Sequence, residues 1–228
     1  MPEGTTINCL GLVMDGNRRW AKAKGLSSFE GHHAGFKKMQ EVLRWVRAAG
    51  IPNVAAYAFS TENWNRSKEE VAYLMKLFRS ILTDELEEFV KERVRIRFVG
   101  DRSRFSADMQ TLMDRAEAKT CGAYDFTLYL LLSYGGRAEI VAATNKLLTE
   151  GKPEVSEEDF RKALWAPDMP DPDLIIRTSG EQRLSSFLPW QSVYSELFFT
   201  KTLWPDFSKE EFKMMLDEFS NRERRHGK

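Results

Sequence analysis

Only two cysteines, Cys9 and Cys121, occur in the 228 residues, far apart and outside any metal-ligand spacing. That argues against a disulfide framework or a cysteine metal site and fits a reducing compartment. An excess of one charge is also missing, because 34 lysines and arginines balance 34 aspartates and glutamates. A net charge of zero argues against a general nucleic-acid binder. No apolar run is long enough for a membrane span or a signal peptide, and the residues up to Asn8 carry no basic stretch. A cytoplasmic protein is expected, with contact at a membrane surface still compatible. Repeats and low-complexity segments are absent. So are Gly-x-x-x-x-Gly-Lys-Ser/Thr, Gly-x-Gly-x-x-Gly after a strand, Gly-x-Ser-x-Gly and Asp-Asp-x-x-Asp. Their absence argues against a P-loop nucleotide enzyme, a dinucleotide-binding fold and a nucleophile-elbow hydrolase.

What is present is ordinary for a soluble domain with a real core, at 42% hydrophobic and 30% charged residues. Short apolar runs read as strands at Cys9–Met14, Val54–Phe59, Phe126–Leu132 and Leu174–Ile176, and alternation of Val94, Ile96 and Phe98 with arginines predicts a half-exposed edge strand at Val94–Val99. Helical periodicity runs over Arg18–Lys24, Gly31–Gly50, Ser103–Thr120, Ala138–Leu148 and Ser208–Phe219, with a short helix from Ser156 to Trp165. Leu26–Gly31 reads as a loop. Ser67 and Glu70 have capping-box spacing, and the helix after them is expected to continue to about Arg93. Strands alternating with helices predict one α/β domain spanning residues 1–228, with a mainly parallel central sheet flanked by helices.

In such a sheet, ligands bind beyond the carboxyl ends of the strands. The first strand delivers Asp15, Gly16, Asn17, Arg18 and Arg19. Strand-end segments elsewhere deliver Ser60-Thr61-Glu62-Asn63-Trp64-Asn65-Arg66 and Arg177-Thr178-Ser179-Gly180-Glu181, with Arg183 and Ser185 just beyond. Arginine forks and free helix-start N–H groups suit phosphate oxygens. Asp15 either caps a helix or meets a metal ion, and Glu196 could share a Mg²⁺ with it. His32 and His33 either simply begin a helix or offer a donor to phosphate, and Trp64 suits a core better than a ligand platform. From the residues alone, the reading is an α/β enzyme acting on a phosphorylated or diphosphorylated substrate with Mg²⁺.

Taken together, these segments closely resemble the cis-prenyltransferase family, of which undecaprenyl diphosphate synthase is typical. The match runs through Met14-Asp15-Gly16-Asn17-Arg18-Arg19-Trp20-Ala21, Tyr57–Arg66, Tyr134-Gly135-Gly136-Arg137, Ile176–Leu197, Leu203–Phe207 and Asn221-Arg222-Glu223-Arg224-Arg225. It covers nearly the whole chain in the right order. The resemblance implies Mg²⁺-dependent condensation of isopentenyl diphosphate onto an allylic diphosphate such as farnesyl diphosphate, in a fold with an elongated apolar tunnel. It implies Asp15 as the essential acid at metal and diphosphate, and Gly16, Asn17, Arg18, Arg19, Trp20 and His32 along the allylic site. Ser60, Thr61, Glu62, Trp64 and Arg66 border that site. Asn63 stands where the family has a proposed proton acceptor, although a neutral amide is a poor base. Arg177, Arg183, Leu184 and Ser185 would hold isopentenyl diphosphate, with Glu196 a metal ligand. A homodimer is implied, in which Arg225-His226-Gly227 fits a C-terminal pattern that reaches the partner's site.

The family resemblance also makes departures visible. Ser28 stands where relatives carry an arginine that contacts diphosphate, and Lys22 or Lys24 is placed to compensate. Leu131 and Leu132 replace smaller residues and are expected to narrow the tunnel, whose walls would include Ala58 and the Val71–Phe89 helix. The segment between Arg66 and Gly100 lacks the insertion of very-long-chain relatives. A short- or medium-chain polyprenyl diphosphate is therefore expected, serving as lipid-carrier precursor for cell-wall glycan. The alternative is a non-catalytic, regulatory subunit of a heteromeric enzyme, but such subunits typically lose the acid that this chain keeps at Asp15.

Overall fold

Six strands, all paired in parallel, form one sheet in the order β3-β4-β2-β1-β5-β6. They are β1 (Cys9–Val13), β2 (Asn53–Ser60), β3 (Val94–Val99), β4 (Phe126–Tyr134), β5 (Leu174–Arg177) and β6 (Glu196–Phe199). The computed structural model describes residues 6–222, so the expected Arg225-His226-Gly227 pattern lies outside the described residues. Helices α1 (Asn17–Ala23), α2 (Ser28–Ala48), α3 (Lys68–Thr83), α4 (Leu86–Lys91), α5 (Ala107–Thr120), α6 (Gly136–Thr149), α7 (Glu157–Ala163) and α8 (Lys209–Asn221) flank the sheet. A parallel strand is covered on both faces, so it reads as unbroken apolar sequence. β4 obeys this in full, with all nine residues buried. Among the described residues, no helix is long and apolar enough to cross a membrane.

Two sequence expectations about helix ends are corrected. The expected loop at Leu26–Gly31 is mostly helix, because Ser27 and Glu30 form a complete capping box and start α2 at Ser28. The expected long helix from Ser67 to Arg93 breaks at Asp84-Glu85. There the Thr83 hydroxyl has the Arg79 and Ser80 carbonyls and Asp84 Oδ1 within hydrogen-bond reach of its one proton, a local alternative that competes with the helix ladder. The break re-aims α4, whose Leu86 and Phe89 stay in the main core.

That core lies between one sheet face and α2, α3, α5 and α8, with Leu12, Leu43, Phe78, Leu128, Phe198 and Phe219 among its members. A smaller cluster on the opposite face holds Val13, Tyr129, Leu131 and Phe187. Leu131 therefore points away from the main core and cannot narrow a tunnel there. Strand pairing between β2 and β4 slips twice near the carboxyl end, at Ala58 and at Ser133. Ser133 adopts a left-handed backbone, φ 50°. Such bulges re-aim side chains near sites. Here the slip lets Ala58 and Phe59, neighbours in sequence, both pack on the main core.

Candidate active site

At the carboxyl end of β1, Asp15 is fixed through its backbone as well as its carboxylate. Its carbonyl accepts from Thr178 Oγ1 at 2.6 Å and from the Trp204 N–H at 3.1 Å, and its own N–H donates to Thr178 Oγ1 at 3.1 Å. Gly16 follows with φ 115°, a conformation L side chains rarely adopt, and a Cβ there would meet Leu203 at 2.9 Å. The carboxylate takes Arg177 Nη2 at 2.9 Å, with Arg19 Nη2 at 3.4 Å. Burial pushes the Asp15 carboxyl up, but hydrogen bonds from Arg177 and Ser179 and the charges of Arg177 and Arg19 outweigh it. The carboxyl stays below its ordinary range and is ionised.

Arg177 is 4% exposed and organises the next loop. Its Nη1 donates to Ser185 Oγ at 2.8 Å and to the Arg183 carbonyl, while its buried Nε has no partner. Ser179, Ser185, Ser186 and Leu188 all take positive φ without being glycine. Each such residue costs roughly 1–3 kcal/mol and persists only where contacts over-determine it. The contacts here are Arg177, the Gly136 N–H on the Ser186 carbonyl at 2.8 Å and the Arg137 N–H on Ser186 Oγ at 3.3 Å. Pro189 lies against Gly136, where a Cβ would come within 2.0 Å of the proline ring.

Two adjoining polar clefts, of about 840 and 740 Å³, share Asp15, Asn17, His32 and Arg66. The first is also lined by Gly16, Arg18, Arg19, Lys22 and Ser28, the second by Ser60, Glu62, Asn63, Arg137, Arg177 and Ser185. Cations thus outnumber the lining carboxylates Asp15 and Glu62. Of the two candidates for the cation missing at Ser28, Lys22 lines the cleft, whereas the Lys24 ammonium sits 5.9 Å over the Trp20 ring. α1 has only seven residues, so the arginines rather than the helix dipole supply the anion attraction.

An apolar cavity of about 80 Å³ continues from these clefts between α2, α3 and the sheet. Ala58, Leu74, Phe78, Ile96, Leu128 and Leu130 line it, and it shares Met14, Asn17 and His32 with both clefts. Leu132 belongs to the main core without lining the cavity, and the β4 residues that do line it are Leu128 and Leu130 instead of Leu131 and Leu132. A second apolar space of about 40 Å³ lies beyond Phe89, which borders both.

Several expected site residues turn elsewhere. Trp20 donates to Asp206 at 2.8 Å. Trp64 donates to Ser133 Oγ at 2.9 Å and packs edge-on against Phe59 and Phe105. Thr61 packs against Gly135, and Leu184 packs on the smaller cluster. Arg183 is exposed and paired with Glu181 at 2.6 Å. Asn63 stays on the second cleft, where its Oδ1 accepts from the Ser60 N–H at 3.1 Å.

Glu196 is not brought to Asp15 within one chain. It begins β6, level with Leu174 and Leu10, and pairs with Arg222 at 2.6 Å. Asp15 lies five residues further along β1, roughly 16 Å in the strand direction. Among the described residues, no three His, Cys, Asp or Glu side chains group to cage a metal. A single, partly exposed carboxylate at Asp15 beside cationic clefts does fit Mg²⁺, which uses one or two carboxylates plus substrate phosphates.

Comparison with known proteins agrees with this geometry. A family model described as "Putative undecaprenyl diphosphate synthase" matches residues 13–227. The chain belongs to this family, the cis-prenyltransferases. The isoprenyl transferase of Thermotoga maritima is 46% identical, over 95% of this chain and 94% of the relative. That of Chromobacterium violaceum is 43% identical, over 100% and 91%. A lavandulyl diphosphate synthase from Lavandula x intermedia, solved with dimethylallyl diphosphate, superposes with TM-score 0.92 at 32% identity, covering 98% of this chain and 99% of that one. A probable undecaprenyl diphosphate synthase from Campylobacter jejuni gives TM-score 0.83 at 36% identity, covering 99% and 100%. The enzyme is therefore a cis-prenyltransferase.

Sequence reading gave no role to several residues around the clefts of this enzyme. Thr178, just after β5, fixes the Asp15 backbone, and Tyr57 OH lies 3.2 and 3.4 Å from the Tyr134 and Ser185 carbonyls. Arg137 lines the second cleft, and its place after a Gly-Gly turn at a strand end was the available signal.

Proposed function

We propose that the enzyme condenses isopentenyl diphosphate onto an allylic diphosphate and releases a short- or medium-chain polyprenyl diphosphate. The observation that carries this is the join between a cationic cleft pair and an apolar cavity through Met14, Asn17 and His32. A molecule with a diphosphate head and a hydrocarbon tail matches that join. The cleft with Arg18, Arg19, Lys22 and Arg66 takes the allylic head, and the cleft with Arg137, Arg177 and Ser185 takes isopentenyl diphosphate.

In the reaction, the allylic C–O bond breaks and diphosphate leaves with the electron pair. The isopentenyl double bond attacks that carbon, and a proton leaves the neighbouring carbon. Mg²⁺ held by Asp15 and the head group would neutralise the departing charge. Arginine donors around it stabilise the same charge without reorganising. Because the neutral Asn63 amide is a poor base, the proton goes to a phosphate oxygen of the departing diphosphate. The narrow cavity favours short allylic primers and limits extension. The product would serve as a lipid-carrier precursor for cell-wall glycan, made by a homodimer working in the cytoplasm at the membrane surface.

Radiolabelled isopentenyl diphosphate supplied with dimethylallyl, geranyl or farnesyl diphosphate and Mg²⁺ is expected to give butanol-extractable product. Absence of extension with every primer would overturn the reading.

A further inference from the structure

Three groups on the cleft wall meet on one carboxylate that does not itself line the cleft. Glu70 is in the first turn of α3, where its N–H donates to the N-cap Ser67 Oγ at 3.2 Å. An acid at that position ordinarily reaches back to the N-cap N–H. Glu30 does so to Ser27 at 2.9 Å, and Asp159 to Ser156 at 3.2 Å. Glu70 leaves its box half closed. Its Oε1 takes His32 Nε2 at 3.1 Å and Arg66 Nη1 at 2.9 Å, and its Oε2 lies 3.7 Å from Arg18 Nη1. The residue is 8% exposed, unusual for a helix first turn. Where a side chain forgoes its local bond for a buried one, function is the usual reason.

The three partners come from α1, α2 and the segment before α3, and all line the allylic cleft. On the same helix, one and two turns further, Leu74 and Phe78 line the apolar cavity. Without an anion among them, Arg18 and Arg66 would repel one another beside His32. We propose that Glu70 is a positioning residue for the allylic diphosphate, holding Arg18, His32 and Arg66 in place and registering the head site to the helix that walls the tail. It acts through those groups and touches no reacting atom. The inference rests on the reading of the site as an allylic diphosphate site. Preset donors lose less freedom when the head group binds, and misplacing them costs rate.

The test compares wild type, Glu70→Gln and Glu70→Ala in the full chain by steady-state kinetics in both substrates and by calorimetry with inorganic pyrophosphate. Glu70→Ala is expected to lower kcat/KM for farnesyl diphosphate about 50-fold, since a misplacement near 1 Å can cost about 100-fold. The Michaelis constant for isopentenyl diphosphate should stay within about twofold, because only interactions in the allylic cleft are removed. Glu70→Gln keeps the shape and one acceptor, and is expected to lose about tenfold with the same selectivity. If Glu70→Ala does not fold, the isosteric Glu70→Gln carries the same criterion. Equal losses for both substrates, or wild-type allylic kinetics in the variants, would overturn the proposal. A wild-type enzyme that extends no primer would instead overturn the function. Pyrophosphate calorimetry still judges Glu70 in that case: weaker binding in both variants supports the positioning role, and unchanged binding refutes it.

Discussion

The polar clefts and the apolar cavity meet at the same residues but are built differently. In the clefts, Arg18 and Arg19 keep 57% and 47% of their side chains exposed and are held by ion pairs. Pairs of that exposure are worth up to about 1 kcal/mol each. Around the cavity, Leu74, Phe78 and Ile96 are 5%, 7% and 2% exposed. Each buried side chain there is worth about 2 kcal/mol. The head site therefore depends on where a few charged groups are held, whereas the tail site is fixed by the packing of its walls. Rate should belong to the first region and product length to the second.

Removing Asp15 is the hardest test of that division. Asp15→Ala is expected to lower kcat by about 10²–10³-fold, the cost of one preorganised electrostatic group. The residual product should keep its length distribution. The fold should survive, because β1 remains paired on both sides and the Thr178 bonds are to the Asp15 backbone, so the group left without its carboxylate is Arg177, which keeps Ser185 and the Arg183 carbonyl. A shifted length distribution would break the separation of the two regions.

Phe89→Ala probes the other side. The ring is 6% exposed and divides the cavity of about 80 Å³ from the space of about 40 Å³ behind it. Its loss should cost about 3 kcal/mol in urea unfolding. It should also lengthen the product, as judged by chromatography after dephosphorylation, while the first condensation keeps its rate. An unchanged length would place the floor of the tail site elsewhere.

How far the sequence foretold these regions differs too. Asp15, Arg19, Arg66 and Arg177 were legible because strand-end position is a local signal that survives without knowing the neighbours. The five expected strands all form, and the sixth, β6, falls where Leu197–Thr200 is apolar and aromatic. Glu70 was not legible, because Ser67-x-x-Glu70 and Ser27-x-x-Glu30 are the same pattern. Arg66, four residues before Glu70, with His32 and Arg18 brought close by folding, diverts the first from its cap. Leu131 was misjudged for a similar reason, since which face a strand residue takes depends on pairing and bulges. Glu196 matched a motif, but register puts it at the other end of the sheet from Asp15.

A smaller effect is expected from adding a cation to the head site. Ser28 is the first residue of α2 and lines the allylic cleft with Lys22. Ser28→Arg should lower the Michaelis constant for the allylic diphosphate about fivefold, the equivalent of one exposed ion pair of about 1 kcal/mol. Lys22→Ala should raise it by a similar factor. An unchanged or raised constant in Ser28→Arg would mean that Lys22 already satisfies the head group.

The gentlest perturbation is pH, and it reports on the residue that borders both regions. Burial lowers the His32 pKa below its ordinary 6.5, Glu70 works against that, and the charges of Arg66 and Arg18 add to the lowering. The folded chain thus holds His32 neutral where the unfolded chain would take up a proton. Full stability is present above pH 6.5 and is lost as pH falls from there toward the folded pKa. Asp15 and Glu70 are lowered carboxyls, so their contributions fade only below the ordinary carboxylate range and leave this window to histidine. Thermal melts between pH 8 and pH 5.5 should therefore show a decline below 6.5 that His32→Gln removes. Pyrophosphate, bringing negative charge to the cleft, should raise the His32 pKa and stabilise the enzyme more at pH 6 than at pH 8. A decline that persists in His32→Gln would assign it to another group and remove His32 as the hinge between head and tail.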